Sequence, residues 1–112
     1  MPHRNPDWTE EELILAYEVL IDLKDQPLSK DLPEIIRLSE LLNELPIHDG
    51  KPRSKPFRDP DGVRRRLDYL RRIQNGQQIS GRKIYKLVVN QYKGGPQGLR
   101  AAAESIRRRY GV

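Results

Sequence analysis

The chain predicts an all-α fold, a compact bundle of about five helices. Three observations carry that reading. A capping box at Thr9-Glu10-Glu11-Glu12 opens a run of apolar residues at helical spacing. Proline stands in the first turn of three further segments, at Pro33, Pro60 and Pro96. No segment alternates convincingly enough to be a strand; Ile84 to Val89 is the one stretch whose propensity would allow it. At 112 residues the chain fits a single domain, 1–112, with one core of modest depth.

The first helix begins after Trp8, which is placed to staple against Leu13 across the Thr9 cap. Three glutamates in its first turn suit the positive end of the helix dipole. Leu13, Tyr17, Leu20 and Lys24 recur on one face, and Ile14 and Ile21 widen it, so the helix is expected to be buried on more than one side and to end near Lys24, before Gln26-Pro27. The second helix runs from about Leu32 to Leu45, with Asp31 as its cap and Ile35, Leu38, Leu41, Leu42 and Leu45 as its stripe. Pro46 ends it. Residues 46–58 then form a proline-rich basic loop containing Lys51, Arg53, Lys55 and Arg58.

Asp59-Pro60 opens the third helix as cap and first residue, and Val63, Leu67, Leu70 and Gln74 share its inner face. Gly62 in the first turn is costly for a helix by up to about 1 kcal/mol, which points to a close approach by another group, a phosphate being one candidate. Residues 75–81, with Asn75-Gly76 and Ser80-Gly81, read as a loop between helical halves. A short fourth helix covers about Arg82 to Tyr92, with Ile84, Leu87, Val88 and Gln91 in register. Lys93-Gly94-Gly95-Pro96 breaks it as a hinge or C-cap. A fifth helix, about Pro96 to Tyr110, packs Leu99, Ala102, Ala103, Ile106 and Tyr110.

Charge is sorted along the chain. Residues 1–50 carry 4 Lys/Arg against 12 Asp/Glu, a net of −8, and residues 51–112 carry 17 against 4, a net of +13. Such a chain builds an oriented field whose basic half attracts a polyanion. The acidic half repels one, unless the fold turns it away or uses it to neutralise part of the basic side. Nucleic acid is the commonest partner of a small basic domain of this kind; a solvated basic surface without a partner is the alternative. The chain has no cysteine, no apolar run of membrane-spanning length and no signal-peptide-like start, so a cytoplasmic protein is expected. No cofactor or metal is expected, since His3 and His48 stand without companion ligands; His48 reads as a loop or core-rim residue. The motifs of phosphate-binding loops, zinc proteases and serine nucleophiles do not occur, which points away from an enzyme.

The candidate contact residues for double-stranded DNA follow from the third helix and its flanks. With the Val63/Leu67/Leu70 seam buried, Arg65, Tyr69 and Arg72 point outward together, and Arg64 and Arg71 lie one step to the side. Arg53, Lys55 and Arg58 of the loop would position on phosphates, and Arg107, Arg108 and Arg109 would extend the track. A Trp-led acidic helix, a second helix, a loop and a basic third helix follow the plan of helix-turn-helix domains, and Trp8-Thr9-Glu10-Glu11-Glu12 with Arg66-Leu67 is similar to Myb-like patterns. The connection from Leu45 to Asp59 is much longer than the usual turn of such domains.

Asn5-Pro6-Asp7-Trp8-Thr9-Glu10-Glu11-Glu12-Leu13-Ile14-Leu15-Ala16, Leu38-Ser39-Glu40-Leu41-Leu42 with Leu45-Pro46-Ile47-His48, and Phe57-Arg58-Asp59-Pro60-Asp61-Gly62-Val63 resemble the N-terminal head domain of McrA-like HNH endonucleases. The resemblance covers nearly the whole chain, including Leu99 to Arg107. It implies a non-catalytic, DNA-binding accessory domain of a modification-dependent restriction system for phage defence, either excised or free-standing. Its partners would be a nuclease and a modified-DNA reader in the same or a second chain. Where the family usually has Asn, this chain has Asp59 and Asp61, and two carboxylates weaken direct phosphate contact at that turn. The alternative function is a structural domain that docks on sister domains or a partner chain, with incidental DNA affinity.

Overall fold

A computed structural model describes residues 6–48 and 57–112. Its five helices are α1 (Glu10–Leu23), α2 (Pro33–Glu44), α3 (Pro60–Gln74), α4 (Lys83–Tyr92) and α5 (Pro96–Tyr110), with a single 3-10 turn at Pro46–His48. The described residues contain no strand, and the Ile84 to Val89 segment is helical.

α1 is the central helix and touches each of the other four. That position explains its composition: Leu13, Ile14, Leu15, Ala16, Tyr17, Leu20 and Leu23 are all buried, on more than one side of the helix. Its start is held by both halves of the capping box. Thr9 Oγ1 accepts from the Glu12 amide at 3.2 Å, and Glu12 Oε1 accepts from the Thr9 amide at 3.0 Å. Trp8 is buried ahead of it. At the other end Arg71 Nη2 donates to the Lys24 carbonyl at 2.9 Å, so an arginine of α3 satisfies the C-terminus of α1. The Tyr17 hydroxyl donates to Gln74 Oε1 at 2.5 Å, tying the middle of α1 to the end of α3.

α2 contributes Ile35, Leu38 and Leu42 to the core. Its N-cap is Leu32 with no side-chain cap, so the expected Asp31 cap is not used; the Asp31 amide donates instead to Ser29 Oγ, and Pro33 starts the helix. α3 buries Val63, Leu67 and Leu70 as its spacing requires, and α5 buries Leu99, Ala103 and Ile106, with Ala102 and Tyr110 half-buried beside them. α4 differs from the sequence reading. Tyr85, Val88 and Val89 face inward, while Ile84 is 42% and Leu87 65% exposed. The helix is rotated by about one residue, roughly 100°, because the 85/88/89/92 stripe is as regular as 84/87/88/91 and carries two tyrosine rings. No helix among the described residues is long and apolar enough to cross a membrane.

Candidate nucleic-acid interface

The sorted charges of the sequence meet in the fold. α5 lies along α1, and its basic residues pair with the acidic ones there. Arg107 Nη1 is 2.8 Å from Glu18 Oε1, Arg109 pairs with Glu11, and Arg100 pairs with Asp22. The Tyr110 hydroxyl also donates to Glu11 Oε1 at 2.6 Å. Arg108 pairs with Glu104 one turn away. Acidic residues of α1 therefore pair with Arg107 and Arg109, and Arg108 pairs within α5, so each arginine of the expected phosphate-track extension has a carboxylate partner at the surface.

The third helix divides in the same way. Arg64 pairs with Asp61 at 3.2 Å and Arg72 with Asp68 at 3.0 Å. Arg65 is exposed, with Asp61 at 3.9 Å. Arg71 caps α1. Tyr69 is half-buried rather than outward, set edge-on to Tyr85 at 6.2 Å between centroids, with the Arg82 guanidinium 3.9 Å from its ring centre. Arg82, hydrogen-bonded to the phenol oxygen and charged beside it, holds the Tyr69 hydroxyl below its ordinary pKa. Arg53 and Lys55 lie outside the described residues.

Arg58, expected on phosphates, is instead buried. Its Nε is 2.6 Å from Glu12 Oε2 and its Nη2 3.1 Å from Glu12 Oε1, and Nη2 also donates to the Pro6 carbonyl at 3.0 Å. The guanidinium lies 4.9 Å from the Trp8 ring centre and 4.4 Å from that of Phe57. His48 completes the cluster. Its Nε2 is 2.9 Å from Glu12 Oε1, an atom that can only accept from it when ionised, while Nδ1 is buried with no hydrogen-bond partner among the described residues. His48 is thus a core residue rather than a rim one. Burial alone would raise the Glu12 pKa, but the hydrogen bonds from Arg58, His48 and the Thr9 amide together outweigh it and hold the carboxyl below its ordinary value. The backbone of Arg58 has φ +51°, a left-handed conformation, and Ser39 Oγ fixes it by donating to the Arg58 carbonyl at 2.6 Å. His48 and Arg58 are thus both pinned on Glu12.

Gly62 is explained by its own helix cap. Asp59 Oδ1 accepts from the Gly62 amide at 3.0 Å, and a Cβ at position 62 would stand 2.7 Å from that oxygen. The glycine lets the Asp59 carboxylate close over the α3 N-terminus, so the close approach anticipated from the sequence is that of a side chain of the chain itself.

Cations without carboxylate partners gather elsewhere. A cleft of about 560 Å³, with Trp8 and Tyr85 among its lining residues, opens where the starts of α1, α3 and α4 converge. Arg58, Arg65, Arg66, Arg82 and Lys83 line it, against Asp7 and Asp59. Arg66, Arg82 and Lys83 have no ion pair among the described residues, and Arg66 Nε is buried with no hydrogen-bond partner. Arg82 is the N-cap of α4 in a left-handed conformation, and no side chain caps the first amides of α4. Sequence reasoning missed Arg66, Arg82 and Lys83 as a group. The signal that existed was Gly81-Arg82-Lys83 at a helix start with no Ser, Thr, Asp or Asn at the cap position. No group of His, Cys, Asp and Glu among the described residues is arranged to hold a metal. Comparison with protein-family models, with curated proteins and with solved structures finds no match to the chain.

Proposed function

We propose that this domain is a non-catalytic double-stranded DNA-binding module, a head domain serving a modification-dependent nuclease and its modified-DNA reader. The observation that carries the reading is the uneven neutralisation of the basic half. Arg100, Arg107 and Arg109 of α5 are paired with α1, while Arg66, Arg82 and Lys83 line one cleft with no carboxylate partner among the described residues and an uncapped helix start beside it. Cations not neutralised by a carboxylate and helix amides without a side-chain cap are what phosphate oxygens require. The Phe57 to Val63 resemblance adds the nuclease context; Asp59 and Asp61 are occupied by the cap and by Arg64, which leaves the cations of the cleft wall to make the phosphate contact.

Titration of a labelled duplex at several salt concentrations tests it. Each neutralised phosphate contributes about −0.9 to the log–log slope, so binding is expected to weaken as salt rises, with a slope that counts the phosphates engaged. Absence of binding at low salt, or binding indifferent to salt, overturns the reading. One observation favours the alternative of a docking domain: Ile84 and Leu87 stand exposed on α4. Under that reading salt has little effect on the association the domain makes.

A further inference from the structure

The cleft is concave, and concavity selects among phosphates. Its volume of about 560 Å³ is that of an ordinary small-ligand pocket. An internal diester lies along a duplex edge with a single negative charge. A phosphate monoester at a strand end protrudes, carries close to two charges near neutral pH and offers three free oxygens. The chemistry at the cleft fits the second. Two guanidiniums, Arg66 and Arg82, and the Lys83 ammonium line it without a carboxylate partner among the described residues, and Arg66 Nε is buried without a hydrogen-bond partner. The start of α4, which no side chain caps, lines the same cleft. Of the two carboxylates in the wall, Asp59 is engaged with the Gly62 amide. Trp8, Ile84 and Tyr85 also line the cleft and give it apolar atoms against which the sugar of a terminal nucleotide can rest.

We infer that this cleft seats the terminal phosphate monoester of a nucleic-acid strand, bound by Arg66, Arg82, Lys83 and the α4 amides. The inference rests on the DNA-binding reading and narrows it to strand ends. A single arrangement of donors around a dianion gives a preference that a surface track lacks, since charge-assisted hydrogen bonds are directional and add to simple attraction.

The test compares one short duplex in four forms: 5′-phosphorylated, 3′-phosphorylated, with hydroxyls at all ends, and closed by hairpin loops at both ends. Either phosphorylated form is expected to bind the intact domain about tenfold more tightly than the hydroxyl form, the scale of one charged hydrogen-bonded contact. The arm that gains identifies the end that is seated. Arg66→Gln and Arg82→Gln should each bring that ratio close to one. Arg82 is exposed, so Arg82→Gln keeps the test open if Arg66→Gln fails to fold. Equal affinity for all four forms overturns the inference and leaves duplex binding standing. A preference that survives in a folded Arg82→Gln protein also overturns it. Absence of binding by every form removes both readings together.

Discussion

Glu12 and Arg58, 46 residues apart in the chain, meet in a buried ion pair with Nε 2.6 Å from Oε2. The same carboxylate caps its own helix through the Thr9 amide and accepts from His48. One side chain therefore joins the start of α1, the end of the Pro46–His48 turn and the approach to α3.

The pair predicts a steep cost for breaking it. Arg58→Ala leaves Glu12 buried without its main partner, and Glu12→Ala leaves the Arg58 guanidinium in the same position. Each is expected to destabilise the fold by about 3 to 5 kcal/mol, measured by urea unfolding. A loss of under 1 kcal/mol in either variant would show that the pair is solvated in solution.

The cluster also fixes a pH dependence. The folded Glu12 carboxyl lies below its ordinary value of 4.5, so the unfolded chain takes up the proton first. The stabilisation is fully present above that ordinary value and is lost as pH falls through the lower, folded one. Melting temperature should decline with acid in that window, and Glu12→Gln should flatten the decline. An unchanged acid limb in Glu12→Gln would place the titration elsewhere.

Gly62 gives a sharper test, because propensity and packing oppose each other there. Alanine is the better helix former by about 0.8 to 1 kcal/mol. A Cβ at position 62 would stand 2.7 Å from Asp59 Oδ1, so Gly62→Ala displaces the cap, worth about 1 kcal/mol. The single change is expected to be neutral or destabilising. In an Asp59→Ala background the same change should become stabilising, and a double-mutant cycle reads the coupling. Additive effects would mean the cap is not closed over the glycine.

The cap at Thr9, the α3 seam and the whole span of α5 were legible because each is a local pattern: a capping box, a period near 3.6, a proline and a glycine at the two ends. α4 was legible as a helix but not in its facing, since two stripes one residue apart are equally periodic and Tyr85 is less obviously apolar than Ile84. Arg58 and His48 were not legible. A basic residue beside prolines reads as surface, and nothing near it in sequence announces a carboxylate 46 positions away. The partition of the basic half into paired and unpaired arginines has the same cause. It depends on α5 lying along α1, a tertiary fact.

Trp8 is the only tryptophan of the chain and 6% exposed. Trp8→Ala should cost about 3 to 5 kcal/mol in a urea melt. Trp8 also lines the cleft, so its fluorescence should change when a duplex binds the intact protein. A silent tryptophan during a binding titration that another probe detects would move the contact away from the cleft.

The last prediction separates the two sets of arginines. Arg107 and Arg109 are engaged with Glu18 and Glu11, whereas Arg66 and Arg82 have no carboxylate partner among the described residues. Arg107→Gln with Arg109→Gln breaks two partly exposed bridges, each worth about 1 kcal/mol or less, and less still at high salt. That double variant should bind duplex with nearly the wild-type salt slope, because those cations were neutralised before DNA arrived. Arg66→Gln with Arg82→Gln should cut affinity and lower the magnitude of the slope, because the phosphate contact at the cleft is lost. Circular dichroism melts of both variants establish that each is folded before the slopes are compared. If the two slopes fall equally, the α5 arginines exchange their glutamate partners for phosphate on binding. The duplex would then lie across α1 and α5 rather than at the meeting of α1, α3 and α4.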